Sequence, residues 1–195
     1  MPTQAERTEA TRGKLVSTAR RLFAENGYAA TSTEEILGAA AVSRGAMYHH
    51  FTSKTDLFQA AFEAVEDDLT AQVITAAATE TDPMRQLERG FEAFLDQCRY
   101  TEVQRIVMLE GPTVLGWDTW HELDERYAFG SLKAVLAVAA EQGSIEAESV
   151  DPLAHLLLGA VMQAGMVVAR ADDPVAAKHA MTTTFAKILS GISAA

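Results

Sequence analysis

Apolar residues along this chain recur with a single period. Wherever they repeat they return every three or four positions, and no stretch alternates apolar with polar as a half-buried strand does. Leu15, Ala19, Leu22 and Phe23 form one such face, and Leu57, Phe58, Ala61, Phe62, Val65, Leu69 and Val73 form a longer one. That periodicity confines the chain to an all-α fold.

Helix ends are marked as clearly as helix faces. Glu25-Asn26-Gly27 ends the first helix, with Gly27 suited to the left-handed position just past it. Ser32-Thr33-Glu34-Glu35 fits a capping box, and Ile36, Leu37 and Ala40 are the apolar side of the short helix it opens. Ser43 caps a second short helix reaching about Phe51, and Ser53-Lys54-Thr55-Asp56 opens a long helix over 53–78. Asp82-Pro83, Asp151-Pro152 and Asp173-Pro174 each place a capping carboxylate before a proline, whose missing N–H had no partner at a first helical position. Gly111-Pro112 and Gly116 are expected to break the chain, and a helix from about Asp118 to Gln142 ends at Gly143. The count is about nine helices. Three make an N-terminal domain, 1–52, and the rest a larger C-terminal helical domain, 53–195, with helix 53–78 connecting the two.

Composition narrows the function classes. Of 195 residues 48% are hydrophobic, enough for a real core, and Cys98 is the only cysteine, which leaves no disulfide framework and no cysteine-based zinc site. The first thirty residues lack the apolar core of a signal peptide. The run Leu153–Ala169 contains His155 and Gln163 and reads as a buried helix, so a cytoplasmic setting without membrane contact is expected. The net charge of −11 looks wrong for a DNA binder, but it is unevenly spread. Residues 1–60 carry seven bases and six acids and so stand at +1, which leaves −12 on the remainder. An electronegative body behind a near-neutral head orients a protein on a polyanion, although +1 alone indicates no nucleic acid.

Thr31 to Leu57 is the informative stretch. Two short helices, joined tightly at Ala41-Val42 and preceded by a longer one, have the helix-turn-helix layout. The second would lie in the major groove with its N-terminal residues at the base edges. Ser43 offers a short hydroxyl there, Arg44 a bidentate fork for guanine, and Gly45 and Ala46 room for close approach, with His49 further along. Tyr48, His50 and Lys54 are donors placed where a phosphate backbone would pass, and Thr33 opens the preceding helix in the same direction. Ile36, Val42, Met47 and Phe51 read as core.

The run Ala41-Val42-Ser43-Arg44-Gly45-Ala46-Met47-Tyr48-His49-His50-Phe51, followed by Ser53-Lys54-Thr55-Asp56-Leu57-Phe58, resembles the signature of tetracycline-repressor (TetR) type regulators. Ala19 to Tyr28 and Thr31-Ser32-Thr33 match upstream, and the likeness covers roughly residues 10–60. One departure is Ala41, where the family often has glycine in the turn. The resemblance implies a ligand-responsive, DNA-binding transcriptional regulator. Most simply it is a repressor released from a palindromic operator by a small-molecule effector. It further implies a homodimer through the last two long helices and a C-terminal ligand pocket.

The C-terminal residues are less informative, because aromatic and sulfur side chains at helical spacing are more often core than cavity wall. Trp117 and Trp120, near the expected breaks, are the best pocket candidates, together with Phe94 and Met166. Nearby acids (Glu110, Asp118, Glu122, Asp124) read as a solvated face rather than a cation site. His121 and Glu125 share a helical face but lack a third partner, so no metal is expected. There is no nucleophile elbow, phosphate loop or dinucleotide fingerprint, so neither enzymatic activity nor a cofactor is expected.

Overall fold

Thr31 and Gly27 set the first corner of the chain, and helices account for nearly everything else in this computed structural model, which describes residues 3–192 apart from the side chain of Asp124. The α-helical segments are α1 (Gln4–Asn26), α2 (Thr33–Ala40), α3 (Arg44–His50), α4 (Lys54–Ala77), α5 (Pro83–Gln97), α6 (Gly111–Leu115), α7 (Trp117–Asp124), α8 (Gly130–Glu141), α9 (Val150–Ala169) and α10 (Pro174–Ile192). Two π-helical stretches, Val103–Glu110 and Glu125–Phe129, fuse α6 to the residues before it and α7 to α8, leaving nine continuous rods among the described residues. Among the described residues there is no strand.

The chain divides into two compact units. Residues 1–66 and 101–120 form one; residues 67–100 and 121–195 form the other. The first unit is built around Phe23, Phe58 and Phe62, all fully buried, together with Leu15, Ile36, Met47 and Leu57. The Phe23 and Phe58 rings meet edge-to-face at 5.2 Å, and Tyr28 closes the cluster at 5.7 and 5.3 Å from them. Burying each such side chain is worth about 1.5–3 kcal/mol. The second unit packs α5, α8, α9 and α10 around Leu95, Leu136, Ala139, Val168 and Leu189, with Phe91 stacked on Phe185 at 4.0 Å.

The caps explain why these helices start where they do. Ser32 and Glu35 form the capping box at α2, Ser43 accepts from the Ala46 N–H at α3, and Ser53 accepts from the Asp56 N–H at α4. Asp82 and Asp173 cap α5 and α10. Asp151 does not cap α9. That helix begins at Val150, which puts Asp151 inside the first turn, and its carboxylate instead pairs with Lys133 Nζ at 2.6 Å.

Other expectations change as well. Gly111-Pro112 does not break the chain. The helix widens to π register just before it, which relieves the clash a proline makes with the carbonyl four residues back, and the break comes at Gly116 with φ +80°. The helix expected over 118–142 starts at Trp117 and is interrupted by the π turn at Glu125–Phe129. The helix expected to be buried, α9, is long and apolar enough to cross a membrane by length and composition, yet only a third of its most apolar window is covered within this chain. Leu156 is 71% exposed, and Gly159, Ala160 and Val167 share that open face.

Candidate DNA-reading head and ligand cavity

The reading head is assembled by the turn between α2 and α3. Ala41 sits there at φ 52°, ψ 44°, the left-handed region, and its N–H closes α2 by reaching the Gly38 and Leu37 carbonyls. It is the one non-glycine residue with positive φ among those described. Met47 then plugs α3 into the core, fully buried, while Phe51 lies beneath the end of the helix. Every other side chain of α3 is left open to some degree. Ser43, Arg44, Gly45, Tyr48 and His49 are exposed, and Ala46 and His50 are half-buried. The His49 and His50 rings lie 5.3 Å apart. Arg44 is not idle in this state: its guanidinium pairs with the Glu34 carboxylate of α2, and both side chains are exposed. Thr33, at the start of α2, is half-buried.

Lys54 occupies a place that sequence patterns did not reveal. Its ammonium donates to the Tyr28 carbonyl at 2.7 Å and the Thr31 carbonyl at 2.8 Å, and it sits 4.0 Å over the Tyr28 ring. It therefore ties α4 to the α1–α2 corner. The same corner is held by residues that went unnoticed in sequence. Thr31, buried, donates to the Gly27 carbonyl at 2.8 Å, and Glu110 accepts from the Tyr28 N–H at 2.8 Å. Gly27 has φ +85°, a conformation that calls for glycine, and a Cβ there would lie 2.7 Å from the Glu110 carboxylate, which would have to shift. Arg105 donates to the Ala24 and Glu25 carbonyls at the end of α1, at 3.0 and 2.7 Å. Arg20 forks onto Glu102 at 2.8 and 2.7 Å and reaches the Ala64 carbonyl at 3.2 Å. Partners about eighty residues away leave no local signal.

Hydrogen bonds also set the acidity of the cap carboxylates. Glu35 is held below the usual glutamate range by the Ser32 N–H and then its hydroxyl. Asp56 is lowered by the Thr52 hydroxyl and then the Thr52 N–H.

A cavity of about 420 Å³ opens inside the second unit, within the roughly 300–1,000 Å³ of small-molecule sites. The C-terminal half of α4 contributes Leu69, Val73 and Ile74, and α5 contributes Leu87, Phe91 and Phe94. Tyr127 and residues of α8, α9 and α10 complete the wall. Of the four expected pocket residues, Phe94 lines it and the other three do not. Trp117 is 64% exposed, and Trp120 is buried in the first unit, in contact range of Gly111. Met166, on α9, is half-buried away from the cavity wall. Among the described residues the buried Trp120 indole N–H has no hydrogen-bond partner. His121 and Glu125 approach to 3.8 Å, and no group of three metal-ligating side chains occurs among the described residues.

Known proteins share these features. Residues 15–61 match the family described as bacterial regulatory proteins, tetR family, and residues 84–192 match the tetracyclin repressor-like C-terminal domain. The TetC protein of transposon Tn10 from Escherichia coli is 33% identical over 156 residues, 80% of this chain and 79% of that one. The regulator CymR of Pseudomonas putida is 41% identical over 98 residues, about half of each chain. Among solved structures, a TetR-family regulator from Pectobacterium atrosepticum superposes with a TM-score of 0.82, at 28% identity, over 100% of this chain and 99% of that one. RolR in complex with resorcinol shares the fold, with a TM-score of 0.73 at 19% identity, over 95% and 90% of the two chains. With one family match spanning more than half its length and a relative aligned over four fifths of it, the chain belongs to the TetR family of helix-turn-helix transcriptional regulators and not to a family of enzymes.

Proposed function

We propose that this regulator is a repressor that grips a palindromic operator as a homodimer and lets go when a small molecule enters the cavity of its second unit. The observation that carries the reading is the division of α3: Met47 faces the core, and Ser43, Arg44, Gly45, Tyr48 and His49 face outward. Arg44 and Ser43 meet base edges, Gly45 and Ala46 admit the groove wall, and Tyr48, His49 and His50 meet bases or phosphates. Thr33 adds a phosphate contact at the start of α2. Lys54 keeps a donor for phosphate while its other hydrogen bonds hold the corner in place. Residues 1–52 then act as the reading head, and 53–195 as the part that pairs and senses, with no cofactor or metal required.

Dimerisation is supported by the open faces of the last two helices. Leu156, Gly159, Ala160 and Val167 on α9, and Val175 and Ile188 on α10, are exposed apolar or small residues that water covers poorly. A second copy covering both faces forms a four-helix interface and spaces two α3 helices for a two-fold operator. A regulator working on DNA in this way acts in the cytoplasm, which is part of the same proposal.

Selection from a random duplex library, with Arg44→Ala alongside at equal salt, tests the proposal; salt is fixed because phosphate contacts make affinity steeply salt-dependent. A two-fold symmetric site that Arg44→Ala blurs is the expected result. Folded, dimeric protein that enriches no site would overturn it.

A further inference from the structure

We propose that the effector is an uncharged, largely hydrocarbon molecule carrying one or two neutral hydrogen-bonding groups. This rests on the reading of the second-unit cavity as the effector site. Among the described residues, no Asp, Glu, Lys, Arg or His lines that cavity. A charged group entering it would lose its hydration and meet no opposite charge. The polar side chains on the wall are Thr70, Gln86, Tyr127 and Ser131, all neutral.

Two of these are already engaged. Gln86 Nε2 donates to the Glu80 carbonyl at 2.8 Å, and the Tyr127 hydroxyl accepts from Arg126 at 3.2 Å. The hydroxyls of Thr70 and Ser131 make no hydrogen bond to the described residues, and neither is sealed from the cavity or solvent. They are the handles that would orient a ligand hydroxyl, carbonyl or ether, while Phe91 and Phe94 take its hydrocarbon part. The chain's acidity, −11 overall, lies outside this wall. It draws cations toward the protein without giving them a seat in the cavity.

The test uses three probes built on 1-aminonaphthalene that differ in charge. N-phenyl-1-naphthylamine is neutral, 1-anilinonaphthalene-8-sulfonate is the same skeleton with an anionic group, and N-(1-naphthyl)ethylenediamine is cationic. Binding is read by fluorescence, or by displacement of the neutral probe, to the full-length dimer in about 0.5 M salt, where the Debye length is only several ångströms and the surface field is screened. The neutral probe should bind saturably at one per chain, at least tenfold tighter than either charged probe. Val161→Trp, which fills the cavity from α9, should abolish that binding. Val135→Lys, which adds a cation to the wall from α8, should shift preference toward the sulfonate.

A charged probe within tenfold of the neutral one, and lost in Val161→Trp, overturns the ligand class but leaves the cavity as the effector site. Probes that bind wild type and Val161→Trp alike overturn the cavity reading itself. Failure of the neutral probe to bind folded protein overturns the ligand class.

Discussion

Ala41 is the position where a single methyl should weigh on the whole reading head. Its backbone stands at φ 52°, ψ 44°, and its side chain is exposed, so removing the methyl loses no packing. An L-residue held in the left-handed region costs roughly 1–2 kcal/mol, because Cβ crowds the following carbonyl. Glycine escapes that cost but frees the unfolded chain, giving back roughly 0.5–1 kcal/mol. Ala41→Gly is therefore expected to stabilise by about 0.5–1 kcal/mol. For a chain of this size that raises Tm by about 1–4 °C. Ala41→Val should do the reverse by about 1–2 kcal/mol, since a β-branched residue at positive φ is a true outlier. Melts are compared at one protein concentration, because the proposed dimer would make Tm concentration-dependent. Operator affinity of Ala41→Gly should stay within about twofold of wild type, as the turn geometry is kept. A Tm that falls in Ala41→Gly, or one unchanged in Ala41→Val, would show that the turn is not left-handed in solution.

Three further perturbations follow from the same unit. Gly111→Ala places a Cβ 2.9 Å from Phe62 and 3.0 Å from both the Ile106 carbonyl and the Trp120 ring, and a backbone oxygen has little room to yield; denaturant unfolding should show a loss of about 1–3 kcal/mol. Lys54→Met strands the Thr31 carbonyl and leaves the Tyr28 carbonyl only the Thr31 N–H at 3.3 Å, and should cost about 1–3 kcal/mol in the same assay, while the salt slope of operator binding by a dimer falls by no more than about 1.8, the value of one phosphate contact per chain. Glu35 and Asp56 have folded-state pKa values below their ordinary 4.5 and 3.8, so their contribution is complete above those values and disappears as pH falls through the lowered ones; Glu35→Gln should flatten the acid limb of a Tm-versus-pH curve as pH falls below the ordinary glutamate value of 4.5, and an unchanged limb would refute the cap assignment.

What could be read from the sequence was what is local in the chain. A cap and its N–H donors lie within three residues of each other, so Ser32, Ser43, Asp82 and Asp173 stand where spacing placed them. The outward face of α3 follows from period alone once Met47 is assigned to the core. Lys54 and Arg20 were not legible in the same way, because their partners are carbonyls and carboxylates far along the chain. A lysine that completes a corner and a lysine that waits for phosphate have the same neighbours in sequence. The tryptophans lie off this cavity for a related reason. Large aromatic residues near a helix break mark irregular packing, but Trp120 fills the first unit and Trp117 faces out, while the cavity is walled by aliphatic residues and phenylalanines that look like ordinary core. Pro112 misled because a proline is disruptive only where the helix keeps α register, and a π turn precedes it here.

One helix, α4, contributes residues to both units. α4 runs 24 residues, about 36 Å at 1.5 Å per residue. Its first turns hold Lys54 under the α1–α2 corner and Leu57 and Phe58 in the core of the reading unit. Its last turns put Leu69, Val73 and Ile74 into the cavity wall. An α-helix does not compress along its axis, so a ligand that pushes Val73 and Ile74 aside has to bend α4, rotate it or move its other end. No proline or glycine lies within α4 to absorb a bend. Rotation or displacement is what remains, and both act on the Lys54 contacts. The ligand need only favour one orientation of α4 over another by a few kcal/mol to shift the population that fits a fixed operator spacing. If effector binding is the cause of release, Asp67→Gly, an exposed position that softens α4 between the corner and the cavity wall that starts at Leu69, should weaken effector-driven release while leaving operator affinity without effector nearly unchanged. Release that is equally strong in that variant would mean the signal does not travel along α4.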